Sequence, residues 1–218
     1  MEEGQEVMSN RDSRHDPGTL RYSAGSVTRL LWYIETKETV KLFQKYGVEE
    51  TKNIVLSNNL YSQRSEDRLK REFHVIRKRV ESLPVNIRDM IVSSDLVTSK
   101  LIVLIGVMAT DRMFFELMYE VYRRKLHMGD ELWKQSDINI FFRDKQDRNE
   151  DVARWSEKAV NKLKQTYQRY MLEAGLLETM KDSGPEKRVV RPYMEPELRD
   201  GLLSGGLDKY LYSLTGEK

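Results

Sequence analysis

Apolar residues recur at helical spacing along most of the chain and predict an all-α, mainly helical protein. The clearest case is the stretch from Arg64 to Leu83, in which the apolar residues fall on one side of a helix. They are Leu69, Phe73, Ile76, Val80 and Leu83. The opposite side is predicted to be a basic stripe without acidic residues, with Lys70 on its flank. The stripe consists of Arg64, Arg68, Arg71, Lys78 and Arg79.

The residues before this stretch predict three shorter helices. These run from Val27 to Ile34 behind a Ser26 cap, from Thr36 to Tyr46 with Gly47 at the end, and from Val48 to Leu60. A short helix, a polar turn and a longer basic helix form the plan of a helix-turn-helix unit, whose second helix enters the major groove of DNA. Many helical hairpins without a nucleic-acid role share this plan, so the pattern alone is weak.

Pro84 ends this unit, because the residue before a proline is pushed out of the helical conformation. Beyond it, segments 86–92 and 97–128 predict further helices, and the second segment is apolar enough to form the central core layer. The sequence therefore predicts four parts. They are a disordered tail at 1–20, an N-terminal helix-turn-helix-like unit at 21–93, central core helices at 94–128 and a C-terminal winged-helix-like unit at 129–218.

The C-terminal part repeats the same order of elements. Ser136 is predicted to cap a short helix over 138–142, and a polar link follows from Arg143 to Asp151. Trp155-Ser156 then opens a long helix that ends at Gly175. The side of this helix opposite its apolar residues again lacks acidic residues. It carries Lys158, Lys162, Gln165 and Arg169.

Two short extended pieces around Gly184-Pro185 follow the long helix and predict a small β wing. Its basic residues are Lys187, Arg188 and Arg191, which in a winged helix reach a neighbouring groove of DNA or its phosphates. A solvated hairpin is the ordinary alternative for such a pattern.

The distribution of charge favours a polyanionic partner more than the total charge does. The whole chain has 37 basic and 35 acidic residues and a net charge of +2. Segment 61–83 carries seven basic and four acidic residues, and segment 153–191 carries nine and five, so the rest of the chain is net negative. Solvated helix faces remain the alternative, yet two matching basic units favour binding of nucleic acid through phosphates.

The composition argues against an enzyme or a metal protein. The chain has no cysteine, and His15, His74 and His127 lie far apart without ligand spacing. Sequences typical of nucleophile elbows and phosphate-binding loops are absent, so we expect no catalytic residue, no cofactor and no small-molecule substrate. The longest apolar run, Leu101 to Ala109, is too short for a bilayer that needs roughly 20 residues.

Several short motifs, in their order along the chain, resemble the BrxA family, the small helical components of BREX phage-defence systems. The resemblance covers residues 21 to 200, and none of its motifs is catalytic. The motifs are Tyr22-Ser23-Ala24-Gly25, Val55-Leu56-Ser57-Asn58-Asn59-Leu60, Leu83-Pro84, Trp155-Ser156-Glu157 with Lys162-Leu163, Glu173-Ala174-Gly175-Leu176-Leu177, and Pro192 with Glu197-Leu198.

The resemblance implies a cytoplasmic, non-enzymatic, all-helical protein with a small wing that binds double-stranded DNA and works with other BREX components. It supplies no site residues, so the candidate DNA-binding residues remain those of the two helices and the wing. A protein–protein adaptor of the defence complex and an RNA-binding helical bundle are the alternatives. Phosphate contacts from arginine and lysine stripes predict little sequence preference.

Overall fold

The computed structural model describes residues 17–180 and 184–217, and this part of the chain is mainly helical, as predicted. Most of the predicted disordered tail, residues 1–16, lies outside the described residues. The last four residues of that segment do carry structure. Pro17–Thr19 forms a 3₁₀ turn, and the Leu20 carbonyl accepts a hydrogen bond from Arg112 Nη1 at 3.2 Å.

Residues 21–32, here called the strap, lie across the core without forming the predicted helix. A 3₁₀ turn, Ala24–Thr28, is followed by extended backbone up to Trp32, which has a φ of 55°. The predicted helix from Val27 to Ile34 is therefore wrong. The carbonyls of Leu30 and Leu31 accept hydrogen bonds from the Arg79 side chain and are not used in a helical ladder.

Four helices follow the strap in the N-terminal half. The predicted boundary at Gly47 is a kink within α1, where that glycine has a φ of 75° that side chains rarely adopt. Ser65 caps α2 by accepting from the Arg68 amide, and Asp95 caps α4 by accepting from the Thr98 amide. The four are α1 (Tyr33–Ser57), α2 (Glu66–Glu81), α3 (Val85–Ser93) and α4 (Leu96–Met108).

The predicted helical segment 97–128 is interrupted once, at residues 109–111. Asp111 caps the next helical stretch, which runs as α5 (Arg112–Leu117), a π-helical turn (Met118–Tyr122) and α6 (Arg123–Met128). The apolar side chains of α4 and α5 are almost all buried, so this segment forms the central layer that the sequence predicted.

The C-terminal half contains more helix than the sequence predicted. The link predicted from Arg143 to Asp151 is wrong, since α7 continues to Arg148 and Ser136 lies inside that helix. The polar residues stay helical because Lys145 is half buried against α5 and the π turn, with Nζ 2.7 Å from Glu116 and 2.6 Å from Glu120. The helices are α7 (Gln135–Arg148), α8 (Glu150–Ala153), α9 (Glu157–Glu173), α10 (Pro196–Ser204) and α11 (Asp208–Thr215).

A three-stranded antiparallel sheet lies beside these helices in the order β1-β3-β2. The hairpin of β2 (Leu177–Thr179) and β3 (Lys187–Val189) corresponds to the predicted extended pieces, whereas β1 (Leu132–Trp133) was not predicted. Trp133 pairs with Lys187, and Arg188 lies between Leu132 and Glu178. Three residues of the hairpin turn, 181–183, are outside the described part.

One hydrophobic cluster connects the strap, the central layer and the C-terminal helices. It includes Leu31 from the strap, Ile76 from α2, Phe114 from α5 and Tyr167 from α9, each at most 1% exposed. The basic helices α2 and α9 are therefore held on a single core. No helix in the described ranges has the length and apolarity to span a membrane.

Candidate nucleic-acid interface

Helix α9 begins and ends where the sequence predicted. The Ser156 hydroxyl accepts from the Ala159 amide at 3.2 Å, and Gly175, with a φ of 75°, follows the last turn. Its apolar side is buried against α5 and α7, where Tyr167 lies 5.1 Å from Phe114 between ring centroids. The four residues predicted for the other side are all exposed: Lys158, Lys162, Gln165 and Arg169.

Two grooves border this exposed face, one on each side. The strap groove, of about 280 Å³, lies between the strap and α9, with Arg29 on one wall and Lys162 on the other. The hairpin groove, of about 590 Å³, lies between α9 and the start of α7 and reaches Lys187 of β3. Gln165 and Arg169 line both grooves. The exposed face of α9 is thus a ridge between two concave surfaces that both contain cations.

Lys164 is a cation of the hairpin groove that the sequence reasoning missed. Its Nζ donates to Asn139 Oδ1 at 2.9 Å and lies 5.7 Å from the centre of the Phe142 ring. Burial, with a further contribution from the charge of Arg143, lowers the pKa of this ammonium group. The only sequence signal for Lys164 is its position on a basic helix, where its spacing places it beside the apolar side.

The three basic residues predicted for the wing differ in environment. Lys187 lines the hairpin groove, and its Nζ donates to the Pro185 carbonyl at 3.2 Å. Arg188 is exposed and pairs across the hairpin with Glu178, at 2.5 Å between Nη2 and Oε2. The guanidinium of Arg191 donates to the carbonyls of Thr215 and Leu126, so it holds the ends of α11 and α6.

The predicted cations of α2 are mostly exposed but less free than those of α9. Arg64, Arg68 and Lys78 are exposed and form no ion pair within the described ranges. Lys70 pairs with Glu66 at 2.5 Å, and Arg71 Nε donates to the Asp67 carbonyl at 3.1 Å. The hydrogen bond from Lys70 to Glu66 raises the pKa of the lysine.

Arg79 is not on an exposed stripe, which corrects the sequence prediction. Its side chain is 3% exposed and donates to the Leu30 and Leu31 carbonyls at 3.0 and 3.1 Å and to the Tyr170 hydroxyl at 3.4 Å. The reason is that the strap and α9 cover this flank of α2. Burial lowers the pKa of the guanidinium. Arg79 therefore joins α2 to α9 inside the protein and is not available to a partner.

Glu72 lies on the same covered flank of α2 as Arg79. It is 6% exposed, its Oε2 accepts from Gln63 Nε2 at 2.7 Å, and its Oε1 has no hydrogen-bond partner among the described residues. Burial, followed by the charge of Glu35, raises the pKa of this carboxyl to about 7. This buried flank thus contains two ionisable groups that periodicity alone does not distinguish from surface residues.

A buried carboxylate, Asp111, fixes the strap against α9. Its oxygens accept from the Ser26 hydroxyl at 2.6 Å, from the Tyr167 hydroxyl at 3.0 Å and from the Phe114 amide at 3.2 Å. Burial raises the pKa of Asp111, and these hydrogen bonds act in the opposite direction. The network holds the wall of the strap groove in place.

The described residues do not meet the requirements of a metal site. Among them, no group of three or more His, Cys, Asp or Glu side chains lies close enough to hold a metal ion. Residues 1–16, which include His15, are outside this statement. The exposed cations beside α9 are the candidate site because they lie together between two grooves.

Comparison with known proteins gives concordant matches. A family model described as BrxA matches residues 20–206. The chain is 33% identical over 197 residues to "BREX protein BrxA" of Bacillus cereus, an alignment that covers 90% of this chain and 97% of that protein. A crystal structure of an uncharacterised protein from Magnetospirillum magneticum has the same fold, with a TM-score of 0.75, 15% identity and coverage of 91% of this chain and 100% of that one. This chain belongs to the BrxA family, as the motifs in its sequence led us to expect.

Proposed function

We propose that this chain is a non-enzymatic component of a BREX phage-defence system, acting in the cytoplasm, that binds double-stranded DNA through the exposed face of α9 and its two flanking grooves. Membership of the BrxA family supports the role in defence. The proposed ligand is supported by the geometry around α9, and other BREX components are the proposed protein partners.

One observation carries the DNA proposal: an exposed helix face with cations on both sides of it. The major groove of B-DNA, about 12 Å wide, accepts an α-helix, and the phosphates of both strands then lie along the flanks of that helix. Arg29 and Lys162 stand on one flank of α9, and Lys164 and Lys187 stand on the other. A helix face that contacts only solvent does not require cations on the adjacent segments, such as Arg29 of the strap and Lys187 of β3 here.

The order of elements around α9 supports the same proposal. β1, α7, the four-residue α8, α9 and the β2–β3 hairpin follow one another along the chain, and the sheet has the order β1-β3-β2. In a winged helix with this order, the last helix before the hairpin enters the major groove and the hairpin is the wing. We assign these roles to α9 and to the hairpin that carries Lys187 and Arg188.

Helix α2 has a secondary role in this proposal. Its exposed cations Arg68 and Lys78, together with Arg64 in the bend just before the helix, would contact phosphates beyond the segment that α9 occupies. Phosphate contacts position a protein on the duplex without reading its sequence. We therefore expect little sequence preference, and a footprint confined to one defined sequence would contradict this expectation.

A binding titration tests the proposal. Fluorescence anisotropy would be measured with labelled duplex DNA, single-stranded DNA and RNA of the same sequence at two salt concentrations. We expect the duplex to bind most tightly and its affinity to fall steeply with salt. The variant Lys162→Glu/Arg169→Glu should bind weakly. The matched control Arg124→Glu changes an exposed arginine of α6, which packs on α11, and should leave binding almost unchanged.

The other outcomes separate the competing functions. Tighter binding of RNA or of single strands would overturn duplex recognition. Absence of binding to all three nucleic acids would contradict the proposal and favour an adaptor that docks other defence components.

A further inference from the structure

We propose that Arg29, Lys162 and Arg169 form a seat for one phosphodiester group of the DNA backbone in the strap groove. This inference rests on the proposed function and deepens it. It adds to the interface a residue of the strap that belongs to neither basic helix nor to the hairpin.

The seat is assembled from two segments that are remote in sequence. Arg29 comes from the strap, and Lys162 and Arg169 lie two turns apart on one side of α9. The Thr166 hydroxyl, between them on the helix, donates to the Val27 carbonyl at 3.4 Å and holds the strap beside α9. The resulting groove of about 280 Å³ has room for several water-sized groups and is lined by three positive charges.

The cations of the seat are available to a ligand. Arg29 and Lys162 form no ion pair within the described ranges, and Arg169 has a single contact of 3.6 Å between its Nε and Glu173 Oε1. Three cations close to one groove repel one another unless an anion lies between them. A phosphodiester carries one negative charge and two unesterified oxygens, which suits the guanidinium groups of Arg29 and Arg169.

Gly25 leaves room for the guanidinium of Arg29, a residue that lines the strap groove. A Cβ at position 25 would lie 3.2 Å from Arg29 Nη2 and 3.1 Å from Ser23 Oγ, both closer than ordinary contacts. The guanidinium therefore packs directly over the glycine backbone. The Tyr22-Ser23-Ala24-Gly25 motif thus supplies both the turn and the space in which this cation lies.

A purely structural role for Arg29, as the counter-ion of buried Asp111, fits the contacts less well. The Asp111 oxygens are already bonded to Ser26, Tyr167 and Phe114, and Arg29 does not approach the carboxylate within 4 Å. The charge of Arg29 does lower the pKa of Asp111, but the hydrogen bonds from Ser26 and Tyr167 contribute more. Arg29 therefore has no ion-pair partner among the described residues, although it lines the groove.

The salt dependence of duplex binding tests the seat. Each phosphate contact contributes about 0.9 to the slope of log affinity against log salt. We expect Arg29→Gln to bind several-fold more weakly at low salt and to lose about 0.9 of this slope. Arg29→Lys should keep most of the slope because it keeps the charge. Arg21→Gln, which removes an exposed arginine of the same strap outside the groove, should behave like the unmodified protein.

Each outcome has a separate meaning. An unmodified protein that fails to bind duplex overturns the proposed function. Duplex binding that depends on Lys162 and Arg169, yet keeps an unchanged slope in Arg29→Gln, overturns the seat and leaves the proposed function intact. Circular dichroism and thermal melting of each variant establish that it is folded. If Arg29→Gln does not fold, Arg29→Ala is compared with Arg29→Lys instead. Equal slopes of log affinity against log salt in these two variants overturn the seat.

Discussion

Helices α2 and α9 have the same amphipathic pattern in sequence but different surroundings in the structure. The predicted polar residues of α9 are all exposed and lie between two grooves. In α2, by contrast, one of the predicted cations, Arg79, is enclosed by the strap and Tyr170. The spacing of residues along the sequence defines a helix face. The segments that pack beside the helix determine whether that face is exposed to solvent.

The two helices also differ in what their flanks contain. The flanks of α9 border concave surfaces with further cations, and this turns a basic helix into a candidate binding site. One flank of α2 is packed into the protein and holds a buried guanidinium and a buried carboxyl. We therefore expect substitutions on α9 to act mainly on binding, and substitutions on the covered flank of α2 to act mainly on stability.

The largest effect is expected from Arg79→Ala. This change leaves the Leu30 and Leu31 carbonyls and the Tyr170 hydroxyl without their donor in the interior, and should lower the free energy of unfolding by about 3 kcal/mol. Lys78→Ala, its exposed neighbour, should change stability by less than about 0.5 kcal/mol. Urea unfolding followed by circular dichroism measures both. Equal effects would show that Arg79 is not buried as described.

The next largest effect is expected from charge reversal, which should reduce duplex affinity more on α9 than on α2. We expect Lys162→Glu/Arg169→Glu to weaken duplex binding roughly a hundredfold, since two phosphate contacts become two repulsions. Arg68→Glu/Arg71→Glu should weaken it about tenfold, because Arg71 is already engaged with the Asp67 carbonyl and α2 is peripheral in the proposed complex. Both variants should keep the helix content of the unmodified protein. The reverse order of the two losses would make α2 the principal contact.

Glu72, on the covered flank of α2, should make the stability of the protein depend on pH. A carboxyl whose pKa rises from 4.5 to about 7 on folding resists ionisation, so stability should fall as pH rises through this interval and level off above it. Glu72→Gln should remove this fall and should be more stable than the unmodified protein near neutral pH and above, by on the order of 2 kcal/mol. Glu50→Gln, on the exposed surface of α1, should retain the fall. Unfolding at a series of pH values measures the difference.

The smallest effect is expected in the hairpin. Arg188→Ala should change duplex affinity by less than Lys187→Ala does, because Arg188 is paired with Glu178 whereas Lys187 lines the hairpin groove. Exposed pairs of this kind contribute at most about 1 kcal/mol to stability, so both variants should remain folded. Anisotropy titrations side by side test the order. A larger loss in Arg188→Ala would place the face of the hairpin that carries Arg188 nearer the duplex.

The features that the sequence predicted correctly depend on local chemistry. Ser156 and Gly175 delimit α9 through a cap and a left-handed residue, whereas Gly47, which was predicted to end a helix, marks a kink inside α1. Such signals act within one turn of the chain and need no knowledge of the rest of the molecule. The mainly helical fold class and the resemblance to BrxA were also confirmed. Both depend on short sequence patterns and on the order of those patterns along the chain.

The features that the sequence did not predict depend on contacts between remote residues. Arg79 is buried by Leu30 and Tyr170, the strap stays extended because Arg79 occupies its carbonyls, and the polar part of α7 is helical because Lys145 pairs with Glu116. Likewise Arg29 becomes part of the candidate site through the position of α9. Tertiary packing overrides local preference at each of these places.

The strap has a consequence for the order of events during synthesis. The strap leaves the ribosome before its partner on α9, because Thr166 follows Val27 by 139 residues. Ser26 has its buried acceptor, Asp111, only once the central layer has emerged. Contacts between such distant residues form late, after much loop-closure entropy has been lost. A nascent chain therefore has no strap groove until Arg169 has been translated, so affinity for DNA that depends on this groove appears only after α9 has emerged.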